Sequence, residues 1–206
     1  MGVEDECCVT SELVCESETT VGKADGLVKS TFSFEFPRGF DENHVLRLKE
    51  GPQRGIDEDG DPIIDRKHPQ TFTLKIEHRT TTTLSLVGEQ VWRGALLLCD
   101  YILANPKEFS GKNVLEMGAG TGISSVVASF LSANVICTDV NRGEILDLCR
   151  ENLKRNELFT KPGCHVEVCP LDWMDIASWR DNEAFKSCDV IIAADGKFVS
   201  IWVYSS

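Results

Sequence analysis

The chain is short of positive charge: 21 lysines and arginines stand against 33 aspartates and glutamates over 206 residues, a formal net charge of −12. Non-specific contact with DNA, RNA or an anionic membrane needs a basic face, so this balance argues against all three and better suits a basic protein segment. Long apolar runs are lacking too, since the stretch around residues 95–98 is far shorter than the ~20 residues that cross a bilayer. Nine cysteines are present, yet none form a Cys-x-x-Cys pair, and His44, His68, His78 and His165 are scattered. The ligand spacing of a zinc site is therefore missing. No basic-then-apolar leader follows Met1, so the thiols are expected to be reduced and the protein to be soluble and not secreted. Cys99, Cys137, Cys149 and Cys188 fall among apolar residues and read as small packing residues, Cys7 and Cys8 as exposed ones. The run Asp57-Glu58-Asp59-Gly60-Asp61 lacks the glycine at the sixth position and the glutamate at the twelfth that a calcium loop requires.

What is present is a chain with 42% hydrophobic residues, enough for one globular domain plus an extension. The acidic excess gathers in residues 1–70, with Glu4, Asp5, Glu6, Glu12, Glu16 and Glu18 at the start, which reads as a solvated, partly flexible extension. Residues 1–28 show no period and are expected to lack regular structure. Short strands are predicted over 30–36 and 44–49, on either side of Pro37-Arg38-Gly39. From Thr71 the pattern tightens. Phe72, Leu74 and Ile76 alternate with polar neighbours as in a half-buried strand, and a second strand is expected over 83–87. Helical spacing over 91–103 stops at Asn105-Pro106.

Beyond Ser110-Gly111-Lys112 strands and helices alternate, the pattern of a parallel α/β sheet. Strands are predicted over 113–117, 134–138, 165–169 and 189–193. A helix over 121–131 buries Ile123, Val126, Val127 and Phe130, and one reaching Asn156 turns Ile145, Leu148, Cys149 and Leu153 inward. Asn141 and Glu144 have the spacing of a capping box for this second helix. A looser helical segment is expected over 176–185.

The most informative stretch is Val114-Leu115-Glu116-Met117-Gly118-Ala119-Gly120-Thr121-Gly122-Ile123, a strand entering a glycine turn and then a helix. Glycines let the backbone approach a ligand closely, and the free N–H groups of the helix start face the same place. A nucleotide-like ligand is therefore expected above the turn. Asp139, about 20 residues on and at the end of the next strand, is placed to accept from ribose hydroxyls. The dinucleotide fingerprint would put its third glycine where Ile123 stands, which disfavours NAD, and no phosphate-binding lysine follows the turn, which disfavours ATP. Asp172 and Trp173 follow the third strand, a carboxylate for an adenine amino group beside an indole that can cover the ring.

Taken together, Glu116-Met117-Gly118-Ala119-Gly120-Thr121-Gly122, Asp139 and Asp172-Trp173 resemble the motifs of the class I, seven-strand methyltransferases that use S-adenosylmethionine. Gln90-Val91-Trp92-Arg93-Gly94-Ala95 and Asp189-Val190-Ile191-Ile192-Ala193-Ala194-Asp195 resemble, more narrowly, the methyltransferase-like group of protein-lysine methyltransferases. The resemblance covers residues 71–195 and implies a Rossmann-like α/β methyltransferase domain there, with 196–206 as a divergent tail. It further implies that Glu116, Gly118, Ala119 and Gly120 hold the methionine part of S-adenosylmethionine, Asp139 the ribose, and Asp172 with Trp173 the adenine. Trp92 would close over the cofactor and Ala194 would offer a backbone group near the sulfonium. The family's substrate motif is an acidic residue, two others, then tyrosine; here Asp195-Gly196-Lys197-Phe198 stands in its place, leaving Asp195 as the catalytic candidate.

The implied activity is methyl transfer to a lysine of a protein substrate with a basic segment, in the nucleus or cytoplasm. The likeness stops after Asp195, where the family would add three more strands, so a shortened sheet is expected. A catalytically inactive cofactor-binding or interaction module is the alternative. In the strand order 3-2-1-4, the fourth strand would be left as an edge for the tail or a partner to cover.

Overall fold

The computed structural model describes residues 8–10, 26–36, 71–175, 180–194 and 200–203. The strand expected over 44–49 and the acidic run 57–61 lie outside these residues. In chain order the elements begin with β1 (Cys8–Thr10), β2 (Leu27–Glu35), β3 (Thr71–Arg79) and β4 (Thr81–Thr83). A 3-10 turn over Leu84–Glu89 leads to α1 (Arg93–Ala104) and the short α2 (Pro106–Phe109). The alternating part follows as β5 (Asn113–Met117), α3 (Ile123–Ala128), β6 (Asn134–Asp139), α4 (Ile145–Arg155) and β7 (His165–Pro170). It closes with α5 (Glu183–Lys186), β8 (Val190–Ala193) and β9 (Ser200–Val203).

The main sheet runs in the order β7-β6-β5-β8-β9. Its first four strands are parallel, with Leu115 opposite Ile136 on one side and Ile191 on the other. This is the Rossmann-like arrangement that the alternation of elements implies. β9 joins antiparallel at the outer edge of β8, with Ser200 paired to Ala193 and Val203 to Val190.

A two-stranded ribbon is the second structural body. β2 and β3 pair antiparallel along their whole length, Leu27 with Arg79 through to Glu35 with Thr71. Their alternation buries Ser30, Phe32 and Phe34 from β2 and Phe72, Leu74, Ile76 and His78 from β3 on one face. That face merges with the core of the main sheet. Phe72 packs against the rings of Phe34, Phe36, Phe130 and Phe159 at centroid distances of 4.4–5.6 Å. Inside the seam, His78 Nδ1 donates to the Arg79 carbonyl (3.1 Å) and Nε2 accepts from Ser30 Oγ (2.9 Å); burial lowers the pKa of the ring, which favours its neutral form.

Three local expectations need correcting. Residues 1–28 are not wholly irregular, because Cys8–Thr10 forms a strand against β4, Cys8 opposite Thr83 and Thr10 opposite Thr81, and β2 already begins at Leu27. The expected strand over 83–87 is a 3-10 turn instead. Pairing ends at Thr83, and Leu84, which a buried strand would turn inward, is 67% exposed. The capping box of α4 is absent as well. Glu144 is the N-cap residue without a side-chain cap, and its N–H is satisfied from far away by Glu89 Oε1 at 3.2 Å.

Candidate functional site

Strand β5 ends at Met117 and the chain turns through Gly118 and Gly120, both left-handed at φ 70° and 56°. Neither position has room for a side chain. A Cβ on Gly118 would stand 2.9 Å from Trp173 Cζ2, and one on Gly120 would stand 2.8 Å from the Gly88 carbonyl oxygen. The turn is braced from behind. Ala119 N–H donates to Thr138 O (2.9 Å), Gly122 N–H to Ala119 O (2.9 Å), and the Cys149 thiol to Gly120 O (2.8 Å).

In front of the turn lies a cavity of about 320 Å³, within the range of small-molecule sites. Glu116, Gly118, Ala119, Gly120 and Thr121 line it on one side, with Trp92, Ala95, Trp173 and Ala194 around them. The 3-10 turn and the residue after it supply Leu84, Val87, Gly88 and Gln90. Trp92 is pinned to this segment by its indole N–H, which donates to Val87 O at 2.9 Å. A larger hollow of about 710 Å³ between α4 and β7 is lined by solvated groups such as Arg150, Lys154, Glu157 and Glu167, without a buried polar group converging on it.

Glu116 is the chemically unusual member of the lining. Only 2% exposed, its carboxylate accepts from the Ser125 hydroxyl, and among the described residues no cation lies within ion-pair distance. Burial drives its pKa up to about 7, against the opposing pull of the Ser125 hydroxyl; the Asp139 charge adds a small upward push. A buried carboxylate that opens on a cavity and meets no cation among the described residues suits a cationic ligand group. The ammonium of an amino-acid moiety fits, and the side-chain-free backbone of the glycine turn fits its close approach.

Seven of the residues singled out in the sequence meet at this cavity: Trp92, Glu116, Gly118, Ala119, Gly120, Trp173 and Ala194. Asp139 reaches the turn from beside it. Its Oδ2 accepts from Gly120 N–H (2.7 Å) and its Oδ1 from Val140 N–H (2.7 Å), with burial raising its pKa and those two bonds lowering it. Asp172 is not brought into the cavity. It is exposed, and its Oδ1 accepts from Met174 N–H at 2.9 Å, a local side-chain turn that holds the carboxylate at the surface. Asp195 lies outside the described residues. Leu84, Val87, Gly88, Gln90, Ala95 and Thr121 also line the cavity without having been assigned to the site from the sequence; Leu84 and Val87 were hidden by the strand expected over 83–87.

A family model described as lysine methyltransferase matches residues 69–200, which include both the ribbon strand β3 and the whole glycine turn. The chain belongs to this lysine methyltransferase family. Among its relatives, methyltransferase-like protein 22 of Mus musculus is 37% identical over 164 residues, covering 62% of this chain and 42% of the relative. The Homo sapiens protein of the same name is 36% identical over 154 residues, covering 65% and 38% respectively. EEF1A lysine methyltransferase 3 of Mus musculus is 38% identical over 110 residues, covering 53% of this chain and 43% of the relative. The chain thus spans about two fifths of the length of these relatives.

Proposed function

We propose that the chain binds S-adenosylmethionine in the glycine-turn cavity and acts as a protein-lysine N-methyltransferase. The observation that carries this reading is the buried Glu116 carboxylate, which meets no cation among the described residues and opens onto a cavity walled by the glycine turn, Trp92 and Trp173. Glu116 would pair with the ammonium of the methionine part, and the Gly118 to Gly120 backbone would lie against it. Asp139 keeps acceptor capacity for the ribose hydroxyls, and Trp173, 41% exposed at the rim, would cover an adenine ring. When bound, the cofactor supplies an electrophilic methyl group on a cationic sulfur.

The chain's own task is then to hold a neutral lysine amine in line with that methyl group. A lysine of ordinary pKa, about 10.4, must lose a proton at a cost of about 4–5 kcal/mol at pH 7. A desolvated channel lowers this cost by disfavouring the charged ammonium. Asp195 is our candidate for orienting the amine. The net charge of −12 suits a substrate whose lysine sits in a basic segment.

Titration calorimetry with S-adenosylhomocysteine and transfer of labelled methyl groups to protein extracts test the two halves of this reading. Binding together with label on lysine supports both. Binding without transfer leaves a cofactor-binding module and removes the enzyme, and no binding overturns the cofactor assignment.

A further inference from the structure

Asn152 on α4 and Asn156, the residue that caps the helix C-terminus, treat the free edge of β3 as a neighbouring strand would. Asn156 Oδ1 accepts from Lys75 N–H and its Nδ2 donates to Lys75 O, each at 3.0 Å. One helical turn earlier, Asn152 Oδ1 accepts from Glu77 N–H (2.8 Å) and its Nδ2 donates to Glu77 O (2.9 Å). The match is geometric: four residues of helix rise about 6 Å and two residues of strand about 6.6 Å. Side chains four apart at the end of α4 therefore meet backbone groups two apart on β3.

The two asparagines differ in where their remaining bonds go. Asn156 Nδ2 donates its second hydrogen to Asn152 O (2.8 Å), within the helix itself. Asn152 Nδ2 donates its second hydrogen to Thr121 O (3.0 Å), inside the glycine turn. Asn152 Oδ1 also accepts from Arg155 Nη1 (2.7 Å), whose Nη2 bonds Glu77 Oε2 (2.6 Å). The Asn152 amide, 0% exposed, thus makes all four bonds its atoms allow, and it ties the ribbon directly to the turn.

We propose that Asn152 is a positioning residue of the cofactor site: by holding the Thr121 carbonyl it fixes the glycine turn in its binding shape, a task that Asn156 does not share. This rests on the turn being the cofactor site, as proposed above. Asn152→Ala and Asn156→Ala in the full chain separate clasping the strand from shaping the turn, because each loses one equivalent pair of bonds to β3. Both are expected to melt at similarly reduced temperatures. Only Asn152→Ala is expected to weaken S-adenosylhomocysteine binding, by about five- to tenfold, the scale of one lost hydrogen bond. It should also speed amide exchange across residues 118–123. If Asn152→Ala does not fold, Asn152→Leu and Asn156→Leu repeat the comparison, since each stays uncharged and keeps the side-chain volume but loses the amide bonds. Equal changes in turn exchange for the two positions, or none at Asn152, would overturn the proposal. Failure of the unmodified chain to bind would overturn the cofactor reading instead, and the exchange comparison would still decide the role of Asn152.

Discussion

Glu116 carries a proton at a pH where surface glutamates do not, and two outcomes follow. Its folded pKa, raised to about 7 from 4.5, means that its contribution to stability is fully present below pH 4.5 and lost as pH rises through 7. Glu116→Gln should therefore raise the melting temperature at pH 8 and change it little at pH 4, while weakening cofactor binding. An ammonium ligand needs the ionised carboxylate, so binding by the unmodified chain should be about tenfold weaker at pH 6 than at pH 8, with proton release measurable by calorimetry in buffers of different ionisation enthalpy. At Gly120 the constraint is steric. Alanine there must adopt φ 56° and meet the Gly88 carbonyl at 2.8 Å, so Gly120→Ala is expected to lose about 1–3 kcal/mol in chemical denaturation and to weaken ligand binding in calorimetry. This much could be read from residue type and spacing: an acidic residue before a glycine turn announces itself. The position of Asp172 could not, because a bond to an N–H two residues away competes with any ligand and leaves no trace in composition.

Helix α4 shows what a single element hides from sequence reasoning. Its inward stripe of Ile145, Leu148 and Cys149, with Leu153 half-buried at its end, was legible from the helical period, and so was the alternation along β3. Its cap was not, since Asn141 and Glu144 have the right spacing while the actual acceptor is Glu89, 55 residues earlier. That carboxylate also accepts from Arg79 Nε at 2.5 Å, so the turn lining the cavity, the end of β3 and the start of α4 share one buried anion. Glu89→Ala leaves Arg79 without this partner and the Glu144 N–H uncapped. A loss of about 3 kcal/mol is expected, read as a fall of about 6–12 °C in melting temperature. The 3-10 turn over Leu84–Glu89 was missed for a related reason. Alternating apolar residues there mimic a strand, and only the end of pairing at Thr83 tells otherwise.

At the scale of the whole molecule, the ribbon is part of the core. A composition shift near residue 70 separates acidic from patterned sequence, yet β2 and β3 pair across it and bury Phe32, Phe34 and Phe72, of which Phe72 packs on Phe130 and Phe159. Only three-dimensional pairing reveals that, because alternation marks a strand without naming its partner. Phe72 sits at the meeting point, and Phe72→Ala should cost about 3–5 kcal/mol in urea denaturation while the strand order of the main sheet stays the same. The braces behind the glycine turn give the molecule a further property. Thr138 of β6 and Cys149 and Asn152 of α4 hold its peptides, with Asp139 closing the end, so the backbone is ordered without help from a ligand. A ligand arriving there docks on a finished mould and orders little chain. Its affinity then depends on contacts and desolvation, with a small heat-capacity change and little entropy lost to loop closure.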